Sequence, residues 1–311
     1  MSFSTDVKKE LTVLPPGKKC CQLAQITGFL RLAGSITLGL SGMGVKVSTE
    51  NPAVARDFAR QVKDYFGTKT ALSVEESPMA RGRSYELSIS AEMNADAILR
   101  ETGILSVKEG SNYITDGLSP DITRKRCCKK AVLRGAFLAS GSVSAPTAKG
   151  YHMEISCSNQ FLAEDIRKIM ASFSLRAKIG QRKGKYLVYL KDGEQIADFL
   201  GLIGANTGMF DYQNSKITRE MKNEANRRNN CELANLDKTV AAAQKQIADI
   251  RRIEERRGLD YLPVKLRETA VIRLENPDLP LSELCELFDP PLKKSGLNHR
   301  FEKIAEIAKE V

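Results

Sequence analysis

One short pattern occurs twice in the chain at a single offset. Residues 18–36 read KKCCQLAQITGFLRLAGSI and residues 125–143 read KRCCKKAVLRGAFLASGSV. Each copy has a Cys-Cys pair followed by two glycines: Cys20, Cys21, Gly28 and Gly34, then Cys127, Cys128, Gly135 and Gly141. Every one of these residues is displaced from its counterpart by 107 positions. Repetition at one fixed offset marks two copies of one structural unit, which bury their apolar faces against each other. The four glycines are read as the positions where the two repeat helices pack.

The 311 residues are enough for two or three domains with proper cores. No run of about 18 apolar residues is present to span a membrane. The opening MSFSTDVKKELTVLPP has no apolar stretch of the kind a signal peptide carries, so the chain is expected in the cytoplasm. Seven cysteines, an odd number with no C-x-x-C pair, argue against a disulfide framework and a familiar zinc finger. Reduced thiols buried as small hydrophobes, with no metal and no cofactor, are the expectation. The alternative, in which Cys20, Cys21, Cys127 and Cys128 meet across a pseudo-twofold axis and bind a metal, stays open.

Each repeat helix is followed by a change of period. In the first copy, residues 36–49 read as two strands broken by glycines, Asn51-Pro52 starts a helix through Phe66, and strands at 71–75 and 84–90 precede a helix from Asn94 to Thr102. The second copy repeats the order. A helix over 124–140 leads to strands near Ser142 and over 152–158, a helix over 161–173, strands over 176–181 and 186–191, and a helix over 194–203. The expected fold class is therefore α+β, two αββαββα halves followed by an all-α domain. The expected boundaries are a first half over 1–102, a connector over 103–123, a second half over 124–208, an Asn/Arg-rich linker over 209–235 and a helical domain over 236–311.

Residues 214–235 read as a helix breaking into a linker, where Arg219, Arg227 and Arg228 are interleaved with asparagines and either track a DNA backbone or keep a hinge solvated. Leu236 to Arg257 is a strong helix whose Leu236, Val240, Ala243, Ile247 and Ile250 form one stripe, a coiled-coil seam or one wall of a small bundle. The last fifty residues read as a helix-turn-helix. Pro263 opens a helix to Asn276-Pro277, Ser282 caps a second that ends near Phe288, and a third runs from about Lys294 to Lys309. Leu297, Phe301, Ile304, Ala305 and Ala308 share the packing side of that third helix. Ser295, Asn298, His299, Glu302 and Lys303 share the other, with Lys293, Lys294 and Arg300 beside them. Such a face supplies hydrogen-bonding groups for a major groove and cations for phosphates. His299 has no nucleophile or carboxylate arranged with it, so it is read as a DNA contact and not as a catalyst. The formal charge of +10 suggests a polyanionic partner, and +8 of it lies on the first 211 residues, which hold 29 Lys+Arg against 21 Asp+Glu.

The residues around the glycines, Ile26 to Gly34 and Leu133 to Gly141, resemble the paired helix of LAGLIDADG homing endonucleases, and the αββαββα order resembles their half-domain. That resemblance implies a saddle of two half-domains with one metal-binding acid just before each last glycine. Here those positions are Ala33 and Ser140. Neither a methyl group nor a neutral hydroxyl supplies the anionic oxygen that Mg²⁺ requires, so the expectation is no enzyme activity. Two other readings remain: an endonuclease with displaced ligands, Glu50 and Glu154 being the nearest acids downstream, and a protein-docking module tethered to DNA. The C-terminal part resembles the promoter-reading helix-turn-helix of sigma factors. The combination, together with the stretches 226–236, 262–277 and 293–300, resembles the WhiA family of regulators. Membership implies a cytoplasmic, nucleoid-associated protein that binds double-stranded DNA and acts in sporulation transcription, cell division or chromosome segregation. A transcription or division protein as a second partner is left open.

Overall fold

A computed structural model describes residues 2–39, 42–76 and 83–311. It divides into two compact units, residues 1–219 and Glu220–Val311. The first unit opens with α1 (Phe3–Thr12), a helix not anticipated from sequence. Ser2 caps it by accepting from the Thr5 N–H, and Val7 and Leu11, four apart on one side, are buried. The repeat helix α2 (Lys19–Ala33) follows and then β1 (Gly34–Gly39), β2 (Gly42–Thr49), α3 (Pro52–Phe66), β3 (Ala71–Glu76), β4 (Arg83–Ile89) and α4 (Ala95–Glu101). Asn51 caps α3 through the N–H groups of Ala53 and Val54, Pro52 occupies the first turn, and Gly67 at φ 70° ends it.

The expected connector is not featureless. It contains a hairpin of β5 (Leu105–Lys108) and β6 (Ser111–Ile114), then the short α5 (Pro120–Thr123). Glu109 and Gly110 both have positive φ, as a two-residue turn matched to strand twist requires. The second copy runs α6 (Arg126–Ser140), β7 (Gly141–Val143), β8 (Met153–Cys157), α7 (Gln160–Ala171), β9 (Lys178–Arg182), β10 (Lys185–Leu190) and α8 (Gly193–Ile203). The two sheets are antiparallel, with orders β1-β2-β4-β3 and β7-β8-β10-β9, which are the same order in the two copies. The fold is the expected duplicated αββαββα.

The two repeat helices meet backbone to backbone. A Cβ built on Gly28 would stand 2.3 Å from the Val132 carbonyl oxygen, and one on Gly135 would stand 2.1 Å from that of Gln25. Around this crossing Ile26, Phe29, Leu30, Leu133, Phe137 and Leu138 are buried in one continuous core. Gly34 and Gly141 do not belong to the crossing, contrary to the sequence reading. A Cβ there would strike Leu30 and Phe137 of the same helix, because the chain turns into a strand at that residue.

The long α9 (Asn206–Arg257) is one unbroken helix that runs from the first unit into the second. The expected break over 214–235 does not occur. No proline lies in the helix and no glycine follows Gly208, so nothing in the backbone stops it. Its start is fixed in the first unit, where Glu10 accepts from the Thr207 and Gly208 N–H groups and the buried Tyr212 donates to the Ser144 carbonyl. Residues 220–242 are exposed throughout.

In the second unit the end of α9 packs with α10 (Val264–Glu275), α11 (Leu281–Leu284) and α12 (Lys294–Glu310). Their core is Ile250, Ile253, Leu266, Ala270, Leu284, Phe288, Leu297, Phe301, Ile304 and Ala308. The expected stripe on α9 is thus split: Ala243 and Ile250 are buried, whereas Leu236 and Val240 are exposed. The middle helix starts two residues earlier than expected, with Pro280 and not Ser282 at the cap. The buried guanidinium of Arg273 ties the unit together, donating to Gln246 Oε1 and to the Asn276 and Leu279 carbonyls while lying 5.6 Å from the Phe301 ring centre.

Candidate nucleic-acid interface

The four buried residues Leu297, Phe301, Ile304 and Ala308 press one side of α12 into the core of the second unit. That orientation turns Lys293, Lys294, Ser295, Asn298, His299 and Lys303 outward, and all six are exposed. Lys293, Lys294, Ser295, Asn298 and Lys303 make no side-chain hydrogen bond or ion pair among the described residues. His299 has only a distant carboxylate, Nδ1 to Glu302 Oε2 at 3.7 Å. The first turn of α12, opened by Lys294 and Ser295, has no acid, so no carboxylate of that turn compensates the positive end of the helix dipole.

Arg300 is a correction to the expected face. Its side chain is 19% exposed and turns inward, donating to the Lys265 carbonyl and Thr269 Oγ1 and lying 3.4 Å from Glu268 Oε2 and 5.4 Å from the Phe288 ring centre. It fastens α12 to α10. Arg219 is likewise used within the first unit, donating to the Pro146 and Ala148 carbonyls and stacking over Tyr151. Arg227 and Arg228 are exposed on α9, Arg228 within 3.6 Å of Glu224 one turn before it.

The two positions where a LAGLIDADG nuclease carries acids close the repeat helices. Ala33 is half-buried at the end of α2. Ser140 ends α6 and donates to the Ser156 carbonyl on β8 at 2.8 Å, so its hydroxyl is already engaged. Glu154 on β8 is paired with His152 at 2.8 Å and Arg182 at 3.3 Å, which leaves no free carboxylate there.

The outward faces of the two sheets differ in charge. On the first, Lys46 is bound to Glu86 at 2.8 Å, and Ser35, Ser48, Ser73 and Ser88 fill much of the rest. On the second, Val188 and Leu190 face the core, so Lys178, Arg182 and Lys185 face outward against Glu154. These three cations were not singled out from the sequence, although their alternation with apolar residues along β9 and β10 carried the signal.

The cysteines of the repeat do converge. Cys20, Cys21, Cys127 and Cys128 place all four Sγ atoms within 4.8 Å of one another. Cys128 is buried, Cys20 and Cys21 are half-buried, and Cys127 is exposed. Burial pushes the Cys21 thiol up to about 11 and the Cys128 thiol up to about 12, while the hydrogen bond from Cys21 holds Cys127 below the usual thiol value.

Comparison with known proteins agrees with this geometry in each segment. Residues 19–105 match the WhiA N-terminal LAGLIDADG-like domain, residues 129–222 the WhiA LAGLIDADG-like domain, and residues 225–308 the WhiA C-terminal HTH domain. The chain belongs to the WhiA family. The "Probable cell division protein WhiA" of Alkaliphilus metalliredigens is 40% identical over 99% of this chain and 98% of its own length, and that of Alkaliphilus oremlandii is 42% identical over 99% and 97%. The crystal structure of full-length WhiA from Thermatoga maritima covers 100% of this chain and 99% of its own, at 25% identity and a TM-score of 0.61. No helix among the described residues is long and apolar enough to cross a membrane.

Proposed function

We propose that this WhiA-family chain is a regulator that binds double-stranded DNA, with α12 reading sequence and the duplicated LAGLIDADG-like unit catalytically silent. The observation that carries the proposal is the outward face of α12, where Asn298 and His299 stand between Lys294 and Lys303 on a helix fixed by Arg300. Asn and His offer directional hydrogen bonds to base edges, and the lysines supply charge to phosphates on either side. Arg227 and Arg228 on the exposed part of α9 are secondary phosphate contacts. The relatives' name supports a role in cell division, and we extend it to chromosome segregation and sporulation-gene transcription, in the cytoplasm at the nucleoid. Silence of the first unit is supported by Ala33 and by the engaged hydroxyl of Ser140.

The test is selection of bound duplexes from a random library by the full chain, followed by anisotropy titration of three variants. Asn298→Ala or His299→Ala should cost about 1–3 kcal/mol on the selected site and much less on random duplex, whereas Lys294→Ala weakens both. Equal losses on both duplexes for all three variants would show that α12 does not read sequence. A second reading applies to the first half-domain alone. Its nearly neutral, serine-rich outer sheet favours a protein partner over a phosphate backbone.

A further inference from the structure

The duplication brings the two Cys-Cys dipeptides to one point. Cys20 and Cys21 are the second and third residues of α2, and Cys127 and Cys128 hold the same places in α6. The four Sγ atoms lie within 4.8 Å of one another, with Cys127 and Cys128 4.0 Å apart. Sulfurs bound to tetrahedral zinc at about 2.3 Å stand about 3.8 Å from each other, so a contraction of at most about 1 Å makes the cluster a complete ligand set.

We propose that Cys20, Cys21, Cys127 and Cys128 form a tetrahedral site for a soft divalent cation, Zn²⁺, which clamps the N-terminal ends of the two repeat helices. The donor set is all sulfur, which selects zinc over magnesium, calcium or manganese. Binding breaks four S–H bonds, forms four S–Zn bonds and releases four protons to solvent, leaving a site of net charge −2. Two features of the fold compensate that charge. The positive ends of α2 and α6 converge on the sulfurs. Exposed Lys18, Lys19, Lys125, Arg126 and Lys130 flank them in sequence. Burial of a small apolar side chain does not account for the cluster, because Cys127 is exposed and two of the others are only half-buried.

Cobalt is the probe. The full chain, purified with reductant and stripped by chelator, should take up one Co²⁺ with the intense visible bands and sulfur-to-metal charge transfer of a tetrahedral thiolate site. Zn²⁺ should displace it, and four thiols should become unreactive to a disulfide reagent when Zn²⁺ is added. Replacing all four cysteines by serine should abolish the bands, and Cys231→Ser, on the exposed part of α9, should leave them intact. The wild-type readings stand even if the fourfold variant fails to fold. A pale octahedral cobalt spectrum, no change in thiol reactivity with Zn²⁺, or bands retained in the fourfold variant would overturn the proposal. So would a disulfide joining the two pairs whose reduction yields no cobalt site.

Discussion

Gly135→Ala tests the meeting of the two repeat helices through the sign of its effect. Inside an exposed helix this substitution stabilises by about 1 kcal/mol, because alanine loses less backbone entropy than glycine. At Gly135 the added Cβ would stand 2.1 Å from the Gln25 carbonyl oxygen and 2.9 Å from the Phe29 nitrogen, both backbone atoms of the facing helix. Ordinary contact begins at 3.4 Å, so the helices must part by more than an ångström. No side-chain rotation relieves a clash with backbone. The cost therefore falls near the upper end of the overpacking range, about 3 kcal/mol, and the net destabilisation is about 2 kcal/mol. Because α2 and α6 can open without the second unit, the measurement is amide hydrogen exchange in peptides from these two helices. About 2 kcal/mol corresponds to roughly 30-fold faster exchange. Gly28→Ala meets the Val132 carbonyl oxygen at 2.3 Å and should act alike, and the double variant should cost less than the sum, since the first substitution has already separated the helices. Gly296→Ala, in α12 with nothing within 4 Å of its Cβ, should slow exchange locally. Slower exchange in α2 and α6 on Gly135→Ala would refute the close crossing.

Two further outcomes follow from the first unit. The full chain with Mg²⁺ or Mn²⁺ should leave supercoiled DNA intact, and nicking lost on mutation of α2 or α6 would revive the nuclease reading. Lys8 is pulled down from 10.5 to about 8 by burial, against a smaller opposing pull from Glu50. The unfolded chain therefore holds this proton more tightly, so the Lys8 contribution to stability rises with pH between about 8 and 10.5. Urea midpoints should show wild type gaining on Lys8→Met across that window, and parallel curves would show that Lys8 is not desolvated.

Legibility differed by the kind of signal. The repeat, the close approach at Gly28 and Gly135 and the order of helices and strands were legible because periodicity and caps such as Asn51-Pro52 act locally. The run over 214–235 was misread because asparagine lowers helix propensity without stopping a helix, whereas proline or glycine would have stopped it. Arginine was the least legible residue. Arg31, Arg134, Arg219, Arg273 and Arg300 each donate to backbone carbonyls. A charge count assigns all five to a polyanion, and only tertiary contacts reveal that they are struts.

That loss of available charge decides where phosphates can be held. Residues 220–311 carry 17 Lys+Arg against 17 Asp+Glu, so the whole +10 belongs to residues 1–219, with 31 against 21. On the proposed reading the second unit holds phosphates only through its outward cations, Lys293, Lys294 and Lys303 on α12 and Arg227 and Arg228 on α9. Up to about five phosphate contacts give a slope of log affinity against log salt of about −4.5, at about 0.9 per phosphate. If the second sheet of the first unit also lies on the backbone, Lys178 and Lys185 add up to two more and the slope steepens to about −6. We expect the steeper value for the full chain on random duplex, and a return toward about −4.5 when these two residues are changed to glutamine. Arg182 and the first sheet's Lys46 contribute little, because they are already paired with Glu154 and Glu86. A slope near about −4.5 in both proteins would mean that the second sheet does not touch DNA, and the basic excess of the first unit would then have to serve a protein partner or the thiolate cluster.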